Sequence, residues 1–533
     1  MISHRLCLVA FLALSLPVLA QGWPNKGGNP ARNGLSPVIG PPAPTLKWSG
    51  IARSSIIAWH PYIDGDRVFL VRQTGFVPAG EPNGSPLVCL DLQTGAELWA
   101  LSVPYASGDW TTVCLGTSNG QVYASRSGNG ATSQTVVRAY DQTTGAQLWT
   151  SADLVDFGPY DGVVFAPNGD LVVGNFTNVR RISSVDGSTV WETSRSCNVS
   201  SSCGVAIFAG GVYLVEPAPG GNTIAKLDLA SGTRLYGSTL MPGFTVQNTP
   251  FVGPDGTVYL SRTQNNPLVD FVFAFDDDGT ALIERWNRPA GWSTTGEWGA
   301  APDGDVYLLA PDRRVERVDP MTGATVASTV NPIDQGATSV SPHFAVDARG
   351  KVFVSNGGFS TGTLYAFDPD LTFRWSVPVT NINQGGPAIA ADGTLVVAGI
   401  GTDVRAFESP CPIVARADVR TAGPNLVTLS GDEPVQGSTW MATIDVASSG
   451  HALGVLLVTR GAIDVPLASG DRLLVNPAGP QFFLDVQPGP TATFTAPIPA
   501  DTSLCGSVFE SQGAHLGGPA LRLTNALDLT LGG

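Results

Sequence analysis

Charge is scarce in this 533-residue sequence: Asp, Glu, Lys and Arg make up only 14% of it. The 29 basic residues are nowhere concentrated beyond the pairs Arg180-Arg181 and Arg313-Arg314. Phosphate backbones are held by clustered Lys and Arg, so nucleic acid is not expected as a partner. A net charge of −15 disfavours anionic membrane surfaces for the same reason. Long apolar runs are missing after the first twenty residues, so no transmembrane segment is expected in the rest of the chain. Adjacent cysteines, a CxxCH haem site and Cys/His spacings that suit a metal are all absent. Helical amphipathic periodicity is absent too, and 63 Gly with 41 Pro leaves an all-β chain full of turns.

What the N-terminus has is a secretory pattern: His4 and Arg5, an apolar run over residues 6–19, and Val18-Leu19-Ala20 as a small-residue cleavage site. Residues 1–20 are therefore expected to be removed, leaving a periplasmic, cell-surface or extracellular protein. Cys7 lies inside the apolar run, where it cannot become a lipid anchor. The six remaining cysteines, in an exported chain, imply disulfides. Sequence leaves the connectivity open, but nearness favours Cys89 with Cys114, Cys197 with Cys203, and Cys411 with Cys505.

The middle of the chain repeats. Residues 136–149, VVRAYDQTTGAQLW, return in related form at 88–99, 179–191, 224–236, 271–286, 315–327, 364–375 and 404–407. Most copies read as alternating apolar residues, an Asp and Gly turn, and a short strand ending on an aromatic, which is a β-hairpin. Before each hairpin stands a second turn followed by apolar residues, as at Asp64-Gly65, Asn119-Gly120 and Asp303-Gly304. The copies recur every 41 to 54 residues, the period of a four-stranded propeller blade. The eighth hairpin stops at Phe407 without its closing strand, and Leu46-Lys47-Trp48 matches the missing piece, so the two ends are expected to meet in one blade.

Residues 21–45 form an extended lead-in with Trp23-Pro24, Gly27-Gly28 and Arg32-x-Gly34-x-Ser36. This pattern, followed by blades carrying A-x-D-x-x-T-G-x-x-x-W, resembles the PQQ-like (pyrroloquinoline-quinone-like) β-propeller repeat proteins. That superfamily includes the quinoprotein dehydrogenases and the outer-membrane assembly lipoprotein of the β-barrel assembly machine. The resemblance implies an eight-bladed β-propeller over 46–408, its closing aromatics Trp48, Trp99, Trp149, Trp191, Tyr236, Trp286 and Trp375 wedged between blades. Three repeats depart from the pattern and are expected to be irregular: the fifth through its insertion, the sixth through Ala327, and the seventh through Asp368-Pro369-Asp370-Leu371. After a linker at 409–412 the period ends. Residues 413–533 resemble the smaller β-sandwich module that closes many exported bacterial proteins.

Quinone-dependent members of the superfamily hold the cofactor on a Trp floor, with a Ca²⁺ among acidic and amide side chains, and often cover it with a disulfide of adjacent cysteines. Lacking such a pair, this chain is expected to carry no cofactor, PQQ with Ca²⁺ being the alternative. No catalytic residue and no metal ligand is expected. Gly358-Phe359-Ser360-Thr361-Gly362 matches G-x-S-x-G but falls in a β-hairpin loop, where no strand-turn-helix elbow can activate the serine. Asp276-Asp277-Asp278-Gly279 lacks the spacing of a calcium loop and reads as a solvated turn. Trp59, His60, Glu297, Trp298, His343 and Phe344 precede the innermost strands of their repeats and are candidate binding residues facing the central channel.

These readings make the protein a non-catalytic exported β-propeller, an interaction platform for a protein or glycan ligand, and a monomer. A PQQ/Ca-dependent quinoprotein dehydrogenase with an atypical site, and an outer-membrane barrel assembly factor, are the alternatives.

Overall fold

The computed structural model describes residues 22–74, 84–104, 109–128, 135–155, 163–195, 204–242, 246–247, 249–265, 268–291, 298–333, 342–356, 362–382, 384–518 and 520–533. Among these residues the chain is built from strands, with two single-turn 3-10 helices and no α-helix. Between Leu46 and Phe407 eight antiparallel sheets follow one another, each with four strands in sequence order; the fourth and fifth sheets add a short extra strand. The first sheet shows the plan: Tyr62–Asp64, Arg67–Val71, Leu87–Asp91 and Glu97–Leu101. In the eighth, the fourth strand is Leu46–Ser49, which pairs with Val404–Phe407 and sets Trp48 opposite Ala406.

Apolar side chains hold consecutive sheets together. Cys89 of the first sheet packs with Val122 of the second, Tyr123 of the second with Phe165 of the third, and Val172 of the third with Leu227 of the fourth. Ile224 then shares a cluster with Phe273 of the fifth sheet, and Tyr259, Tyr307, Val315 and Val352 share the one that joins the fifth, sixth and seventh. Phe353 of the seventh, Val396 of the eighth and Val68 of the first share one cluster, so the sheets close into a ring. At roughly 1.5–3 kcal/mol for each large apolar side chain taken from water, these seams are the main source of the ring's cohesion.

The repeat's conserved-looking grammar explains the seams. In Asp91-Leu92-Gln93-Thr94-Gly95 the Asp91 carboxylate accepts from the Thr94 amide at 2.8 Å and hydroxyl at 2.7 Å, and the turn closes through Gly95 at φ 71°. The closing tryptophan of one sheet lies on the turn glycine of the next. A Cβ on Gly187 would sit 2.6 Å from the Trp149 ring. The indole N–H then donates to a carbonyl of that turn: Trp48 to Leu92 at 2.8 Å, Trp99 to Gln142 at 3.0 Å, Trp149 to Ser184 at 3.0 Å, Trp191 to Leu229 at 2.9 Å and Trp286 to Pro320 at 2.9 Å.

The departures obey the same geometry. Sheet six ends on Ala327, and the seventh sheet's turn puts Leu371, at φ 64°, where the others have glycine; the large side chain has moved from strand to turn, and both pack in one cluster. Sheets six and seven are accordingly regular and four-stranded, contrary to the expectation of irregularity. The Trp375 indole nitrogen has no hydrogen-bond partner, because the eighth sheet takes its closing strand from the N-terminus and has no third turn to receive it.

Cys89 and Cys114 are free thiols, both buried, which corrects the expected Cys89–Cys114 bridge. They lie on strands of two different sheets, and facing sheets stack about 10 Å apart, beyond the roughly 4.4–6.8 Å between Cα atoms that a disulfide spans. Burial pushes each thiol up to about 12. Cys197 and Cys203 lie outside the described residues.

Beyond the ring, Arg416–Arg420, Arg522–Thr530, Val508–Leu516, Leu453–Thr459 and Gln481–Pro488 form a five-stranded sheet in that order. A three-stranded sheet of Leu429–Gly431, Thr439–Asp445 and Thr491–Pro497 shares a core with it, where Trp440, Ile444 and Phe494 meet Leu456, Phe509 and Leu527. The disulfide Cys411–Cys505, with 5.6 Å between Cα atoms, ties the start of this region to its end, as expected.

Candidate functional site

The lead-in stretch defines the axis of the ring. Trp23 exchanges backbone bonds with Ile63 of the first sheet, and Pro24 O accepts from Thr117 N of the second at 2.8 Å. Pro30 O accepts from Ile207 N of the fourth, Ala31 O from Val252 N of the fifth, Asn33 O from Ala300 N of the sixth, and Gly34 O from Val346 N of the seventh. All of these partners sit at or beside the first strand of their sheets. One short segment reaches them all only if the first strands converge around it, so residues 23–36 fill one end of the central channel as a plug.

The plug enters where each first strand runs into its turn. In an antiparallel four-stranded sheet the first and third turns leave at the same end, so the Trp-bearing hairpin turns lie on this face as well. The C-terminal sheets dock here too. Pro412 O accepts from Ile39 N at 2.9 Å, and Arg349, in the first turn of sheet seven, donates to Gly533 O at 3.0 Å and pairs with Glu433 at 2.6 Å. The second strands therefore end, and the third strands begin, on the opposite face.

Toward that opposite face lie two of the candidate residues, His60 and His343. His343 begins the strand His343–Val346, three residues or about 10 Å from the plug contact at Val346. His60 approaches it from the first sheet, with ring centroids 5.9 Å apart, although the eighth sheet stands between them. They meet because that sheet contributes Gly386 at this level: a Cβ there would lie 2.6 Å from the His343 Cβ and 3.1 Å from His60 Nδ1. From the other side of the ring, Arg32 projects out of the plug and its Nε donates to Val205 O at 2.7 Å, beside the start of the fourth sheet. His60, His343 and Arg32 are all buried. Arg32 has φ 58°, a left-handed conformation unusual for a residue with a side chain, and the surrounding plug bonds hold it there.

Not every candidate lines the channel. Trp59 belongs to the apolar seam between the first and second sheets, with Phe69 and Cys114. Trp298 and Phe344, with ring centroids 6.2 Å apart, belong to the cluster that joins sheets five to seven. Glu297 and residues 358–361 of the G-x-S-x-G stretch lie outside the described residues. The acidic turn is more structured than a solvated one. Asp276 pairs with Arg285, Asp278 accepts from the Thr280 and Ala281 amides at 2.7 Å, and Asp277 is bonded to Lys226, Tyr213 and Tyr236 at 2.6 Å each. Each carboxylate is already committed to a different partner.

Residues 132–243 match the family described as outer membrane protein assembly factor BamB. Among solved structures, the quinohemoprotein alcohol dehydrogenase of Comamonas testosteroni superposes with a TM-score of 0.50 at 12% identity, over 76% of this chain and 83% of the enzyme. The ring has the fold of a β-propeller. BamB of Moraxella catarrhalis aligns at 14% identity over 68% of this chain and 97% of its own, with a TM-score of 0.43. No curated protein matches the chain significantly in sequence.

Among the described residues no group of side chains converges that would hold the Ca²⁺ of a bound quinone. Calcium takes about 6–8 oxygen ligands. The buried Asp347 accepts from the Arg349, Lys351 and Gly40 amides, and Asp170 from Ser184, Asn168 and Arg181. Among the described residues no three His, Cys, Asp or Glu side chains converge as a metal site. Sequence reasoning missed Arg32, Asn33 and the plug. Arg32-x-Gly34-x-Ser36 was visible as a motif, but its partners stand from 173 to more than two hundred residues away, as Asn33 Nδ2 to Val252 O shows.

Proposed function

We propose that the protein is a non-catalytic, exported interaction platform that binds its partner on the propeller face opposite the plug. The observation that carries this reading is the occupancy of the plug face: the lead-in fills the channel there and the C-terminal sheets dock beside it, which directs a partner to the opposite face. The Cys411–Cys505 disulfide supports an oxidising compartment. The match of residues 132–243 favours a protein partner, and within that class one from outer-membrane protein assembly.

The test attaches a bulky polymer through an introduced cysteine on either face. Val330 is 82% exposed and follows the fourth strand of sheet six, on the face opposite the plug; Val185 is 83% exposed in the third turn of sheet three, on the plug face. Cross-linking in envelope extracts is expected to recover the same partner from unmodified and Val185→Cys-conjugated protein and to lose it with conjugated Val330→Cys. Loss with Val185→Cys alone, or recovery with both conjugates, overturns the assignment of the partner to the face opposite the plug.

A further inference from the structure

Between the two C-terminal sheets lies a cavity of about 240 Å³, open to solvent beside Phe482, and every side chain that lines it is apolar. A bulge in the strand Gln481–Pro488 builds one wall. Phe483 stands opposite Val458 and Gln481 opposite Thr459, so Phe482 is the extra residue between them. A bulge re-aims the side chains beside it. Phe482 and Phe483, though successive, both line the cavity, and the Phe482 ring meets Phe509 in a T-shaped contact with centroids 4.5 Å apart. Trp440 and Pro497 of the three-stranded sheet form the facing wall. The Trp440 indole N–H already donates to Asp432 O at 2.8 Å, and a proline has no N–H, so neither offers a ligand a donor. Such a cavity takes apolar matter, and one of about 150 Å³ already accepts benzene.

One charge stands over this cavity. Val458, which lines it, and Arg460 two residues on share the inner face of the sheet, because side chains alternate along a strand. The exposed Arg460 guanidinium lies over the ring of Phe509, its carbon 5.5 Å from the centroid. Among the described residues it has no carboxylate partner. Glu510, opposite Thr459 and so on the outer face, accepts from the Gly461 amide at 2.5 Å instead. We propose that the cavity binds a single-chain alkyl carboxylate, a fatty acid, with its tail between the sheets and its head on Arg460. The apolar walls select the tail, and the unpaired cation at the rim selects an anionic head. A guanidinium presents its N–H groups as a planar fork that matches the two oxygens of a carboxylate. The site lies in the C-terminal sheets and does not depend on which propeller face meets a partner.

Calorimetric titration of the full chain with monomeric decanoate is expected to show one site per chain. Octanoate is expected to bind more weakly, by about fourfold for each methylene removed, the worth of one buried CH₂. Arg460→Gln is expected to weaken decanoate by about tenfold or more, the usual size for hydrogen bonds to a charged group. The same variant should leave the melting temperature and the affinity for decanol unchanged, since Arg460 is exposed and decanol has no charge to lose. Folded wild-type protein that takes up neither decanoate nor decanol overturns the proposal. Decanoate binding that is indifferent to Arg460→Gln overturns the placement of the carboxylate.

Discussion

Asp277 draws three side chains of the neighbouring sheet, Tyr213, Lys226 and Tyr236, into one hydrogen-bonded knot. Tyr236 stands where most closing aromatics are tryptophan, and its hydroxyl needs an acceptor farther out than a turn carbonyl. Asp277 supplies it, accepting from Tyr236 at 2.6 Å while Lys226, over both tyrosine rings, pairs with the other oxygen. Burial alone would raise the carboxyl's pKa, but the bonds from Lys226, Tyr213 and Tyr236 outweigh it and hold the group down to about 2. An unfolded chain returns it to about 3.9. The folded value is the lower one, so the stabilisation is complete above about pH 4 and is lost as the pH falls toward 2. Asp277→Asn is expected to cost roughly 1.5–3 kcal/mol near neutral pH, the usual size for hydrogen bonds to a charged group. In urea titrations the gap between variant and wild type should narrow from pH 4 to pH 2; a constant gap would show that charge plays no part.

At the scale of the element, six of the eight seams pair one large group with one small group. Five seams place tryptophan over a turn whose glycine the ring covers, and the sixth-to-seventh seam exchanges the roles, Ala327 against Leu371. The hairpin grammar was legible in the sequence because it is local: Asp, Thr, Gly and Trp fall within a dozen residues and recur. The missing closing strand was legible for the same reason, since Trp48 completes a pattern. What sequence could not show is that irregular repeats compensate each other across a seam. Gly187→Ala tests the coupling. Its left-handed φ of 76° costs an alanine roughly 1–2 kcal/mol, and the new methyl overlaps the Trp149 ring. Trp149→Ala removes a large half-buried ring, at up to roughly 3–5 kcal/mol. Once the tryptophan is gone the overlap is gone too, so the double variant is expected to be more stable than the two single losses added together. Strict additivity in denaturant titrations would mean that ring and turn do not touch in solution.

For the whole molecule, the legible and the hidden divide by distance along the chain. Cys411 and Cys505 were matched correctly because they bracket one region, whereas Cys89 and Cys114 are close in sequence but separated by the gap between two sheets. The plug was hidden because its bonds depend on the closed ring, which no local pattern encodes. The disulfide and the seams should therefore stabilise different parts. Closing a loop between residues 94 apart restricts the unfolded C-terminal region by roughly 4–5 kcal/mol in the chain-entropy model. None of the ring's seam clusters includes a residue beyond Phe407. Replacing Cys411 and Cys505 together by serine should then move only the melting transition of the C-terminal sheets, downward by roughly 15–20 °C, and leave that of the propeller in place. Scanning calorimetry resolves the two. If both transitions fall together, the contacts of Arg349 with Gly533 and Glu433 join ring and C-terminal sheets into a single cooperative unit, and the disulfide stabilises the whole chain.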